Sequence, residues 1–204
     1  MLGNVSQIYA KSRELSEHQK LLDEQVLLLG DQMLLGIEYF PTVFADLSLS
    51  ETLYKLIVMT VTQDFESKQS EDVRKGINQK IVELVRKFRV PDKRFYYLKI
   101  KAFVECERWD LLHRLANDRK PPIGYVPFAR AMMKGSRPVE EVEGVVDRIE
   151  PTEDRYEFYI TLHLFEKAAR VGERVRSERM LNEVYRKCQD PSLRQMIDEM
   201  RNNM

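Results

Sequence analysis

The chain has 204 residues, 43% hydrophobic and 32% charged, enough to bury a core in one domain or two small ones. Lysine plus arginine equals aspartate plus glutamate at 33 each, so no global field gathers nucleic acid or an anionic membrane. No apolar run approaches the roughly 20 residues that span a bilayer, and no secretory signal opens the chain. Cys106 and Cys188 lack metal or redox spacing and read as reduced, partly buried thiols of a protein working in the cytosol or on the cytosolic side of a membrane.

The elements follow from periodicity. Val5, Ile8, Ser12, Leu15, Gln19, Leu22, Val26, Leu29 and Met33 step by three and four in alternation, a heptad seam on a long helix predicted over about residues 3–34. Gly36 and Pro41 are expected to break it. The seam has two readings: it folds back along the rest of the chain, or it is open to a partner helix. Polar Ser12 and Gln19 argue against a tight autonomous dimer.

Ser48 with Glu51 three residues later is a capping box. It opens a helix carrying Leu53, Leu56, Ile57, Thr60 and Val61. Ser70 is a second candidate cap, ahead of Val73, Ile77, Ile81, Leu84, Val85 and Phe88, and Pro91 ends that helix. Asp92 is read as the cap of a helix over 92–105. Shorter helices are predicted near 108–118, 124–134, 138–148, 152–164, 166–175, 177–188 and 190–202. Pro138 and Pro191 suit first helical turns, with Asp190 as an N-cap. Such a succession predicts an all-α protein, an irregular α-solenoid of stacked antiparallel helix pairs preceded by a long N-terminal helix. The expected organisation is one domain over 1–204, with the long helix at 1–34 and the stacked helices at 35–204.

Residues of catalytic type do not form catalytic patterns. His18, His113 and His163 have no metal-spaced neighbours, and no nucleophile elbow, phosphate loop or dinucleotide fingerprint occurs. Glu140, Glu141, Glu143 and Asp147 look like solvated carboxylates favoured by a helix N-terminus. The expectation is no enzyme, no cofactor, no metal and no small-molecule substrate.

The most informative run is Asp92-Lys93-Arg94-Phe95-Tyr96-Tyr97-Leu98-Lys99, followed by Trp109. Cations head a helix whose dipole prefers anions there, and the segment after them is apolar on nearly every side. Tyr96, Tyr97, Trp109 and Arg94 are residue types that dominate binding hot spots. For Trp109 the packing role outweighs that reading. For Arg94 it does not, because a guanidinium at a helix start needs an acceptor in the fold or on a partner. Lysines and arginines from Arg74 to Lys101 form a basic stretch, followed by an acidic one from Glu140 to Glu157. This is either two solvated faces or a polarised surface for a partner of complementary charge. A nucleic-acid-binding helical domain using the basic stretch 74–101 is the alternative function, although net neutrality counts against it.

The word Asp92–Ala102, then Arg108-Trp109-Asp110, then Pro122-Ile123-Gly124-Tyr125-Val126-Pro127-Phe128, resembles the C-terminal helical domain of the vacuolar protein sorting-associated protein sixteen family. Residues Phe44–Leu53 resemble an upstream block, so the likeness covers about residues 40–130, with looser helical similarity at both ends. The resemblance implies a non-enzymatic α-solenoid that docks a Sec/Munc-type, SNARE-regulating subunit within the HOPS and CORVET tethering complexes. It also implies other complex subunits as partners and an indirect, peripheral association with late-endosome and lysosome membranes. On the matching positions it implies Arg94 and Lys93 as the basic pair of the partner site. Tyr96, Tyr97, Lys99 and, on the seam, Leu22 complete the candidate partner-binding set. Tyr96 and Tyr97 stand where better-known members tend to carry tryptophans, which leaves both the main branch and a paralogous branch open. The main branch carries a β-propeller before this region, so a C-terminal fragment of a longer protein is expected.

Overall fold

The computed structural model describes residues 16–39, 44–62, 68–118 and 120–203. The described residues form eleven α-helices and no strand, as the periodicity predicts. They divide into two compact units, Met1–Arg108 and Trp109–Met204.

The first unit contains α1 (Ser16–Glu38), α2 (Leu49–Thr62), α3 (Lys68–Lys87) and α4 (Asp92–Glu105). The capping box forms as read: the Ser48 amide donates to Glu51 Oε2 at 2.8 Å and the Glu51 amide donates to Ser48 Oγ at 3.3 Å. α2 packs on both α3 and α4 through Leu53, Leu56, Ile57, Ile77, Ile81, Leu84 and Ala102. Three local readings are corrected. α1 runs through Gly36 to Glu38, because buried Leu35 holds the last turn and its carbonyl accepts the Tyr39 amide at 2.9 Å. α3 starts at Lys68, which leaves Ser70 in its first turn instead of at its cap. Pro91 occupies the N-cap of α4 and Asp92 lies in the first turn, where its charge meets the dipole without a capping bond.

The heptad seam does not face the core where it is described. Leu28, Gln32 and Leu35 are buried, while Val26 and Met33 are exposed and Leu22 and Leu29 are half-buried. Val5, Ile8, Ser12 and Leu15 lie outside the described residues. Gln32 earns its interior place by donating to the Leu47 carbonyl at 2.7 Å and to Thr52 Oγ1 at 2.8 Å, which ties α1 to α2.

The second unit contains α5 (Trp109–Asp118), α6 (Val126–Lys134), α7 (Val139–Val146), α8 (Thr152–Thr161), α9 (Phe165–Arg174), α10 (Glu178–Lys187) and α11 (Pro191–Asn202). From α6 onward each helix packs on its sequence neighbour, and α9 also reaches α11, the nearest-neighbour pattern of stacked helix pairs. Asp190 caps α11 as predicted, its Oδ1 accepting the Ser192 amide at 2.9 Å. Pro138 is the N-cap of α7, one residue ahead of the expected helical turn.

One turn recurs in both units. Arg89, Glu107, Ser136, His163 and Arg176 all have positive φ, between 48° and 58°. The amide after each reaches back to a helical carbonyl five residues earlier, as in Val90 to Val85 at 2.9 Å, Arg137 to Met132 at 3.0 Å and Ser177 to Gly172 at 2.9 Å. This is the helix-ending turn that usually holds glycine, made here by residues with side chains. The next helix starts within a few residues, and after the turns at Ser136, His163 and Arg176 it packs back on the helix it follows.

Candidate functional site

α4 sorts the opening run of the sequence by helical phase. Ile100 and Ala102 are buried, and Phe95, Leu98 and Phe103 pack half-buried on the first unit's core. Lys93, Arg94, Tyr97 and Lys101 are exposed and share the opposite face. Tyr97 keeps 53% of its surface, unusual for a large ring inside a packed helix. Tyr96 and Lys99 occupy the flank instead, where the Lys99 ammonium lies 4.5 Å from the Phe95 ring centroid and 6.0 Å from that of Tyr96. Leu22 belongs to α1, so the structure does not group it with the α4 residues. It begins an apolar surface continued by Val26, Met33 and Ile37.

Arg94 has an acceptor, and it is neutral. Its Nε donates to Ser50 Oγ at 2.8 Å, which orients the guanidinium over the start of α2 without cancelling its charge. The basic stretch is otherwise largely compensated. Arg74 pairs with Glu71, Lys75 with Asp72, Lys80 with Glu38 and Glu83, Lys87 with Asp31, and Lys101 with Glu105. Arg86, Arg89, Lys93 and Arg94 have no ion pair among the described residues, and all four are exposed around the α3–α4 turn. The sequence offered Arg86 and Arg89 only as two cations among many. Their selection depends on which of the other cations find acids.

The second unit uses similar side chains for packing. The Arg137 guanidinium lies 5.2 Å from the Trp109 ring centroid and donates from Nε and Nη2 to the two oxygens of Glu141 at 3.1 and 2.8 Å. His113 Nε2 meets Glu141 Oε2 at 3.0 Å, so this histidine is satisfied within the fold. A methyl group on Gly135 would lie 2.1 Å from the Trp109 ring, so glycine is what lets the indole close over the end of α6. Hydrogen bonds from Arg137 and then His113 hold the Glu141 carboxyl below its usual range.

Two more acids read as solvated are also engaged. Lys167 reaches Glu143 at 2.6 Å and Asp147 at 2.9 Å, and Tyr159 donates to Asp147 at 2.7 Å. Burial pushes the Asp147 carboxyl up, but the bonds from Tyr159 and Lys167 outweigh it and the net shift is downward. No group of His, Cys, Asp and Glu suited to a metal occurs among the described residues. Cys106 and Cys188 are free thiols, and burial pushes the Cys106 thiol up.

A family profile described as Vps16, C-terminal region, matches residues 1–203. The chain belongs to that family. The match extends the likeness from the words around Arg94 to both ends of the chain. A vacuolar protein sorting-associated protein 16 homolog from Dictyostelium discoideum is 27% identical over 96% of this chain and 22% of its own length. Vacuolar protein sorting-associated protein 16 from Saccharomyces cerevisiae is 35% identical over 44% of this chain and 9% of its own length. The Drosophila melanogaster homolog is 29% identical over 82% of this chain and 17% of its own length. The chain therefore spans about a fifth or less of these relatives. Membership makes this a Vps16-type vacuolar protein sorting sequence, and no described helix is long and apolar enough to cross a membrane.

Proposed function

We propose that this Vps16 C-terminal region is a non-enzymatic scaffold that docks a Sec/Munc-type, SNARE-regulating subunit through the α3–α4 corner. The observation that carries the reading is the set of uncompensated cations Arg86, Arg89, Lys93 and Arg94 beside exposed Tyr97. An acidic partner surface would supply the missing countercharges, and Tyr97 would bury its ring beside them. The site is preorganised: α4 is clamped to the core by Ile100 and Ala102, and Arg94 is already aimed by Ser50. Through this contact the domain would bring the fusion regulator into tethering complexes of the HOPS and CORVET type. It would sit peripherally on late-endosome and lysosome membranes, held by the complex and not by lipid. The relatives' names favour the main branch over the paralogous one.

The nucleic-acid reading is weakened by the ion pairs, which neutralise Arg74, Lys75, Lys80, Lys87 and Lys101 and so interrupt the basic stretch on either side of the α3–α4 corner. The test is co-purification with each of the two forms of the SNARE-regulating subunit. Wild type is expected to retain one of them, and Arg94→Glu to retain neither while keeping its helical content and melting temperature. Undiminished capture by Arg94→Glu would remove the α3–α4 corner from the interface.

A further inference from the structure

The second unit carries a separate groove, of about 660 Å³, between the start of α9 and α11. Leu164, Phe165, Leu193 and Met196 line it, all half-buried, so an apolar floor is open to solvent. Carboxylates border that floor. Glu143, Glu166 and Asp190 line the groove against one lysine, Lys167, which pairs with Glu143 at 2.6 Å, so the lining carries more negative than positive groups. Asp190 accepts the Ser192 amide, a bond that satisfies an oxygen without neutralising the group. Glu166 is paired with Arg170 at 2.6 Å, but both are exposed and the pair is easily exchanged.

The walls are fixed from behind. Arg194 Nε donates to the Cys188 carbonyl at 2.9 Å, and the Asp190 amide approaches Cys188 Sγ at 3.3 Å, which pins the turn into α11. A preformed apolar trough with surplus negative charge at its edge selects its occupant by both properties. Anionic lipid and nucleic acid are repelled by such an edge, whereas an apolar side chain flanked by cations satisfies floor and rim together.

We propose that this groove docks a helical segment of a partner protein that inserts a large apolar side chain and flanks it with lysine or arginine. The groove belongs to the unit that the α3–α4 corner does not use, so the two proposals fail separately.

The test uses the full chain with methyl-labelled methionine, the Met196 signal being assigned with Met196→Leu. Two synthetic amphipathic peptides share one leucine pattern and differ only in lysine or glutamate flanks. The lysine peptide is expected to shift the Met196 methyl saturably, and the glutamate peptide to leave it in place. Leu193→Lys should weaken binding about tenfold or more, and Asp190→Ser, which keeps a capping hydroxyl while removing the charge, roughly threefold. Should Leu193→Lys not fold, the methyl shift and Asp190→Ser decide alone. Equal binding of both peptides, an unmoved Met196 methyl, affinity unchanged in the variants, or no binding up to about 1 mM would each overturn the proposal.

Discussion

The α4 face of the first unit and the Trp109 cluster of the second are built from the same kinds of side chain and treat their arginines in opposite ways. Arg137 has a ring to stack on and a carboxylate that takes two of its N–H groups. Arg94 has a serine hydroxyl. Both stand near a helix start beside aromatic residues, so residue type and position do not separate them. The acceptor does. A charge whose countercharge lies inside the fold is part of the packing, and a charge that meets only a neutral oxygen keeps most of its field for something else.

Removing the indole is the largest way to sharpen that contrast. Trp109→Ala is expected to destabilise the second unit by about 3 kcal/mol, read as a lower denaturation midpoint, because the ring closes over Gly135 and supports Arg137. Tyr97→Ala should leave the midpoint nearly unchanged, since that ring is mostly in solvent. Arg137→Ala comes next, at roughly 1–2 kcal/mol, through loss of the paired bonds to Glu141.

Acid should act on the second unit through Glu141 and Asp147. Both carboxyls lie below their ordinary values in the folded state, so their stabilisation is present above the unfolded pKa and is lost as pH falls through the folded one. The melting temperature is therefore expected to drop below about pH 4. Glu141→Gln with Asp147→Asn should flatten that slope at the cost of stability at neutral pH. The smallest effect is at the turns. Arg176→Gly relieves a positive φ of 51° on an exposed residue and should stabilise by about 0.5–1 kcal/mol, visible as a small rise in melting temperature.

Most helix boundaries were legible because Pro91, Pro138, Asp190 and the Ser48–Glu51 box are chemical punctuation. The turns were not. Glycine would have announced them, but Arg89, Glu107, Ser136, His163 and Arg176 occupy the left-handed position, and side-chain chemistry does not mark it. The seam on α1 was a correct reading of pattern and an incomplete reading of direction. That helix is apolar on two sides, and hydrogen bonds made by Gln32, a residue that hydropathy assigns to solvent, decide which side is buried. The candidate site was legible as a composition around Arg94. Which cations remain uncompensated depends on contacts such as Lys87 with Asp31, 56 positions apart, that no local pattern records.

Exchanging the two arginines for glutamate in parallel tests the central claim most directly, with partner affinity and melting temperature measured on the same samples. Arg94→Glu is expected to lose the SNARE-regulating subunit, by roughly 2–5 kcal/mol of binding free energy, and to melt like wild type. Arg137→Glu is expected to melt lower and, while folded, to bind as wild type does. Retained affinity in Arg94→Glu, or lost affinity confined to Arg137→Glu, would contradict the assignment of the α3–α4 corner as the docking face.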